Sequence, residues 1–272
     1  MSLDASGGPV SMAGLSIASH SPDLVYAEVS ALGVRVLPAA RLNSGTPMLS
    51  LKGKRILVTQ ASDFMGPALC LQLQACGADV VADHRLLVAP QDAAALIESA
   101  GPLDALVVNL AMPAPATPVT QIDDAEWQQV FDTMVHPLPR LVRAVVPGMK
   151  ARGGGRIIVM GSASALRGMR RAASYSAARG AQLAYVQAAG VELAADNIQL
   201  NAVAQNFVDN PTYFPPEVQA NPRFQERLKR EVPLGRLVKA EEDAQFVAYL
   251  CSDAASCFVG QVFPLSGGWA VR

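Results

Sequence analysis

Residues 55–66 read Arg55-Ile56-Leu57-Val58-Thr59-Gln60-Ala61-Ser62-Asp63-Phe64-Met65-Gly66, an apolar run that closes on a polar turn and opens into a helix-forming stretch over 66–76. A short continuous apolar run bounded by turn residues fits a strand buried on both faces. The same pattern repeats along the chain. Apolar runs at 79–83, 105–109, 156–161, 198–204 and 262–265 alternate with helical stretches near 91–100, 123–151, 173–195, 222–231 and 240–252. Strands alternating with helices imply a parallel sheet covered on both faces. Right-handed crossovers then give a doubly wound sheet in three α/β/α layers, as a single domain. Ligands of such sheets bind outside the carboxyl ends of the strands.

Composition narrows the function. With 51% hydrophobic and 17% charged residues over 272 positions, the chain can bury one large core. The net charge of −1 comes without a dense basic run, which argues against nucleic acid or an anionic membrane as partner. No apolar stretch reaches the about 18 residues needed to cross a bilayer, and no basic n-region of a secretory signal is present, so a cytoplasmic protein is expected. Cys70, Cys76, Cys251 and Cys257 lack metal-ligand spacing and read as buried reduced thiols, so no metal is expected. Residues 1–50 stand apart, rich in Gly, Ser, Pro and Ala. They read either as a flexible arm or as an oligomer contact through Leu24-Val25-Tyr26 and Val34-Arg35-Val36-Leu37, ahead of a catalytic domain over 51–272.

A Rossmann-like domain that holds a dinucleotide carries Thr-Gly-x-x-x-Gly-x-Gly after its first strand. The glycines let the backbone approach a pyrophosphate at a helix N-terminus. Here Gln60 and Phe64 occupy two of the glycine positions, and Gly66 alone remains. A Cβ at residue 60 hinders the tight turn, the ring at residue 64 fills phosphate space, and Asp63 adds negative charge. Asp83 ends the second strand, where a ribose ligand would stand, but Ala105 follows too soon for another strand-helix unit. It reads as a loop or capping residue. No cofactor is expected.

The chemistry lies further on. Ser162 ends the apolar run 156–161, and Tyr175 and Arg179 follow four apart on a helical stretch, hence on one face. Tyrosine ordinarily ionises near pH 10, so it serves as a base at neutral pH only where a fixed positive charge stabilises the phenolate. At an effective dielectric of about 20, a guanidinium about 5 Å from a phenolate is worth about 3 kcal/mol. Met112, Pro113, Leu166, Met169, Tyr213 and Phe214 fall on loops after strand ends and are expected to shape a substrate pocket. Ala111, Met112 and Met169 suggest an adaptable one.

Two patterns carry a resemblance. Thr59, Phe64 and Gly66 match Thr-x4-[Phe/Tyr]-x-Gly, and Ser162, Tyr175 and Arg179 match Ser-x12-Tyr-x3-Arg. Together they resemble the halohydrin dehalogenases, relatives of the short-chain dehydrogenase/reductases, over residues 51–269. The parent enzymes have lysine at the position of Arg179 and usually asparagine at that of Met134. The resemblance implies cofactor-independent conversion of vicinal haloalcohols to epoxides, and the reverse opening of epoxides by azide, cyanide, nitrite or halide. Tyr175 would be the base, Arg179 its cation and Ser162 the hydrogen-bond donor to the substrate oxygen. It further implies a halide pocket formed by Phe64, Gln205, Asn206, Phe207 and Val208, in which backbone N–H groups meet the anion. The alternative for Phe64 and Phe207 is ordinary core packing. Trp269 could pack in its own core or against a neighbouring subunit. A homotetramer assembled through the helices at 123–151 and 173–195 is expected from the family.

Overall fold

The computed structural model describes residues 49–271. The leader segments 24–26 and 34–37, and the expectations attached to them, lie outside the described residues. Six parallel strands form one sheet in the order β2-β1-β3-β4-β5-β6: β1 Arg55–Val58, β2 Asp79–Ala82, β3 Ala105–Val108, β4 Gly155–Ser162, β5 Ile198–Gln205 and β6 Val262–Leu265. All six expected strands are present, each built on an apolar stretch, which Gln199 and Asn201 interrupt in β5. β3 and β4 are buried at every residue.

Alternate residues of these strands face opposite helical layers. Leu57, Leu106, Val159 and Leu200 pack with Leu141 of α4 (Pro137–Ala151) and Val186 of α5 (Ala173–Leu193). Ile56, Val107, Ile158 and Val203 pack on the other side. Their partners there are Leu69 and Leu73 of α1 (Gly66–Ala75) and Val247 of α8 (Ala240–Cys251). A single helix, α2 (Asp92–Ala100), links β2 to β3. The strand order reverses at β1, whose neighbours are β2 and β3, and this opens a crevice at the carboxyl edge.

Two helical expectations change. The stretch 123–151 is two helices, α3 (Asp124–Met134) and α4, because Pro137 and Pro139 supply no N–H to the carbonyls one turn earlier. Between β5 and α8 a four-residue helix α6 (Pro216–Gln219) precedes α7 (Pro222–Glu231), which starts where Asn221 accepts the Arg223 N–H at 2.9 Å. The thiols also differ from expectation. Cys251 is buried, Cys70 and Cys76 are half-buried, and Cys257 is exposed on the loop before β6. Among the described residues no His/Cys/Asp/Glu cluster could hold a metal ion, and no helix is long and apolar enough to cross a membrane.

Candidate active site

Ser162 and Gln205 are the last residues of β4 and β5 and are register partners at the carboxyl edge of the sheet. A cavity of about 290 Å³ opens beyond them. Tyr175 and Arg179 line it from α5, Phe64 from the first turn, and Asn206, Phe207, Val208, Tyr213 and Phe214 from the segment after β5. Met169 closes it from the loop before α5.

Three expected lining residues are elsewhere. Leu166, which follows a 3₁₀ turn, packs against the apolar clusters that hold Leu183 and the Phe207–Trp269 pair, behind the residues that line the cavity. The Met112 side chain packs with Val130, Met134 and Tyr175, and Pro113 is exposed. The loop after β3 therefore presents Asn109, Ala111 and Ala114 to the cavity instead.

Arg179 is 3% exposed. Its Nη1 donates to the carbonyls of Leu110 and Met160 and to Gln182 Oε1, each at 2.9 Å, and its Nε has no partner. None of the ion pairs among the described residues includes it. A buried cation held by neutral dipoles alone keeps its field uncompensated, and so favours an anion beside it. The Tyr175 ring lies beside it, with its centroid 5.1 Å from the guanidinium carbon. Gln182 anchors the arrangement by donating Nε2–H to the Met134 carbonyl at 2.7 Å. The sequence reading passed over Gln182, although its place three residues after Arg179 on one helix was a usable signal.

The Ser162 hydroxyl donates to Ser164 Oγ at 2.9 Å and accepts the Ser164 N–H at 3.2 Å, which fixes its orientation at the strand end. Tyr213 donates its hydroxyl to the Met112 carbonyl at 2.8 Å. Burial, together with the neighbouring Tyr175, pushes the Tyr213 phenol far above its usual range, so it stays neutral.

The segment after β5 qualifies the expected halide donors. The Asn206 N–H donates to the Leu265 carbonyl, the Phe207 N–H to Asn206 Oδ1, and the Asp209 N–H to the Val238 carbonyl. The Val208 N–H takes part in none of these bonds. Asn206 Nδ2 meets only the Met169 sulfur, at 3.8 Å, a weak acceptor that an anion could displace. Arg227 of α7 also lines the cavity, its guanidinium 5.4 Å from the Phe207 ring centroid. Nothing in the sequence marked Arg227, which lies on a helix remote from the strand ends. Phe207 belongs to both settings, since it lines the cavity and packs edge-on against Trp269 at 6.0 Å. Trp269 is buried within its own chain.

The first turn bears on the cofactor this fold commonly holds. Gln60 and Phe64 have φ of 45° and 51°, the left-handed conformation natural to glycine. The turn thus keeps the backbone of a glycine-rich loop while carrying two large side chains. Gln60 Oε1 accepts the Ala111 N–H at 2.7 Å, and the Phe64 ring tilts against Tyr213 with centroids 5.5 Å apart. Gly66 is retained because a Cβ there would lie 2.5 Å from the Gln60 carbonyl oxygen. The residues present do not fit a dinucleotide pyrophosphate.

Comparison with known proteins places this geometry. Residues 65–270 match the family model described as enoyl-(acyl carrier protein) reductase. The chain is 34% identical to the 3-oxoacyl-(acyl-carrier-protein) reductase of Pseudomonas aeruginosa, over 81% of this chain and 98% of that protein. Its fold matches a solved structure titled as a dehalogenation enzyme, with a TM-score of 0.76 and 35% identity over 81% of this chain and 99% of the other. It also matches halohydrin dehalogenase bound to ethyl (2S)-oxiran-2-ylacetate, with a TM-score of 0.73 and 26% identity over 80% and 98%. The chain belongs to the short-chain dehydrogenase/reductase family.

Proposed function

We propose that this protein is a cofactor-independent halohydrin dehalogenase, converting vicinal haloalcohols to epoxides with release of halide and a proton. One observation carries the reading: the Ser162, Tyr175 and Arg179 set faces a cavity whose first turn carries Gln60 and Phe64 in place of glycines. Likeness to the solved dehalogenases supports it.

In the proposed mechanism, the uncompensated charge of Arg179 stabilises the Tyr175 phenolate, which removes the proton from the substrate hydroxyl. Guanidinium suits this task because it stays protonated throughout. Ser162 turns its hydroxyl proton from Ser164 Oγ to the substrate oxygen and donates a hydrogen bond there as negative charge develops. The oxygen displaces the neighbouring halide from the back side and closes the epoxide ring. Both reacting atoms belong to one molecule, so no covalent enzyme intermediate is needed. The halide departs toward Phe64, Asn206 and Val208, an apolar setting with few donors that suits a large, weakly hydrated anion. In reverse, the Tyr175 phenol protonates an epoxide opened by azide, cyanide, nitrite or halide. Assembly as a homotetramer is part of the proposal, and light scattering of the purified protein tests it.

The similarity to a reductase favours one competing reading, hydride transfer from a nicotinamide cofactor. Incubating the nucleotide-free protein with a terminal epoxide and azide separates the two. Formation of the azidoalcohol supports the proposal. Its absence, together with a thermal shift on adding NADPH, would replace the proposal with the reductase reading.

A further inference from the structure

Asp243 lies in the first turn of α8, on the apolar stripe that continues through Ala244, Val247 and Ala248. It has no exposed surface, and neither carboxylate oxygen has a hydrogen-bond partner. The polar group facing it is the side chain of Gln205, which also lines the cavity and whose buried Nε2 is unpartnered as well. A buried carboxylate beside a buried amide, each unsatisfied, calls for an explanation. The amide is near enough to favour the ionised carboxylate, yet the two are not in hydrogen-bonding geometry. Burial outweighs that help and raises the Asp243 carboxyl to about 7.

We propose that Asp243 and Gln205 form a proton-linked element of the anion site, in which the charge of Asp243 decides which end of the Gln205 amide faces the cavity. When ionised, Asp243 accepts from the Gln205 NH₂ and leaves the amide oxygen toward the cavity, where it repels an anion. When protonated, it donates to the amide oxygen and turns the NH₂ toward the cavity, adding a donor for the anion. Anion and proton are therefore held together and released together. This inference rests on the reading of the cavity as anion-receiving.

Other charges near Asp243 do not supply the effect. Around α8, β5 and β6 carry no titratable side chain, and α1 carries only the Cys70 thiol. Arg156 of β4 and Asp253 lie beyond the far end of α8, where Arg156 binds the Ser252 carbonyl. On α8 itself, Glu241 is exposed, Glu242 is paired with Arg236, and Tyr249 and the Cys251 thiol lie toward the opposite end. Lys239, just before the helix, is exposed. Tyr175, Arg179, Tyr213 and Arg227 face the anion directly from the cavity walls. The informative quantity is therefore the difference between the protein and an Asp243 variant.

Titration calorimetry with sodium bromide at pH about 6 and about 8.5 tests the proposal. Bromide should bind about tenfold more weakly at the higher pH, because binding must then draw a proton onto Asp243. In D243N, whose amide can donate to Gln205 at any pH, the difference should fall below about threefold, with the affinity at high pH raised toward the acid value. Gln205→Met should weaken bromide binding at pH about 6 and flatten the pH dependence. If D243N does not fold, Asp243→Leu serves for the flattening alone. An unchanged pH dependence in these variants, or pH-independent bromide binding by the parent protein, would overturn the proposal while leaving the dehalogenase reading in place. No bromide binding at either pH would overturn both.

Discussion

Asp243→Asn changes one atom in the most completely buried acid among the described residues, and its effect on stability can be worked from the structure. The unfolded chain ionises this aspartate near 3.8, whereas the folded protein does so at about 7. Between those values the folded state holds a proton that the unfolded state has lost, so stability falls as pH rises. The contribution of Asp243 is thus most favourable below about 4, declines to about 7 and then levels off. The interval is about three pH decades at about 1.4 kcal/mol each, which sets a ceiling of about 4 kcal/mol. D243N keeps the shape without a titrating group and should lack this decline. Urea unfolding at pH about 5 and about 8, at fixed protein concentration because assembly would contribute, measures the difference. The parent should lose stability relative to the variant across that range. Equal pH dependence in the two proteins would refute the argument that Asp243 is an unpaired, desolvated carboxyl.

Tyr175→Phe should abolish halide release while leaving the circular dichroism spectrum and thermal midpoint near those of the parent; release above background from this variant would remove Tyr175 as the base. Arg179→Met deletes a charge 5.1 Å from the Tyr175 ring, and the rate at neutral pH should fall about 100-fold, read by chloride electrode. Gln182→Glu places a carboxylate at the position now 2.9 Å from the Arg179 guanidinium and should lower the rate about tenfold by cancelling part of its field. A Gln182→Glu enzyme as fast as the parent would show that the uncompensated charge is not what activates Tyr175.

What the sequence disclosed follows from how its signals are written. The strands were legible because each is mostly apolar and ends on turn residues, even where β5 carries Gln199 and Asn201. Tyr175 and Arg179 were legible together because helical spacing puts them on one face. The break at Pro137 needed both prolines to be weighed against an otherwise helical stretch. Met112, Pro113 and Leu166 were misplaced because proximity to a strand end does not say which way a loop residue turns; the expected Ala111 lines the cavity, joined by Ala114. Asn206 and Phe207 were expected to offer N–H groups, but local bonds to Leu265 and to the Asn206 side chain occupy them, a detail below the resolution of any pattern. Asp243 and Arg227 stand on helices far along the chain. Only the fold brings Asp243 to Gln205 and Arg227 to Phe207.

The central claim is that the Ser162, Tyr175 and Arg179 set closes an epoxide ring without a cofactor. Its most direct test follows chloride and proton release together when nucleotide-free protein meets 1,3-dichloro-2-propanol in weak buffer. The account predicts one chloride and one proton per epoxide formed, at a rate unaffected by added NAD(H) or NADP(H). Release that requires nucleotide, or none from an active-site set that is folded and intact, would contradict it.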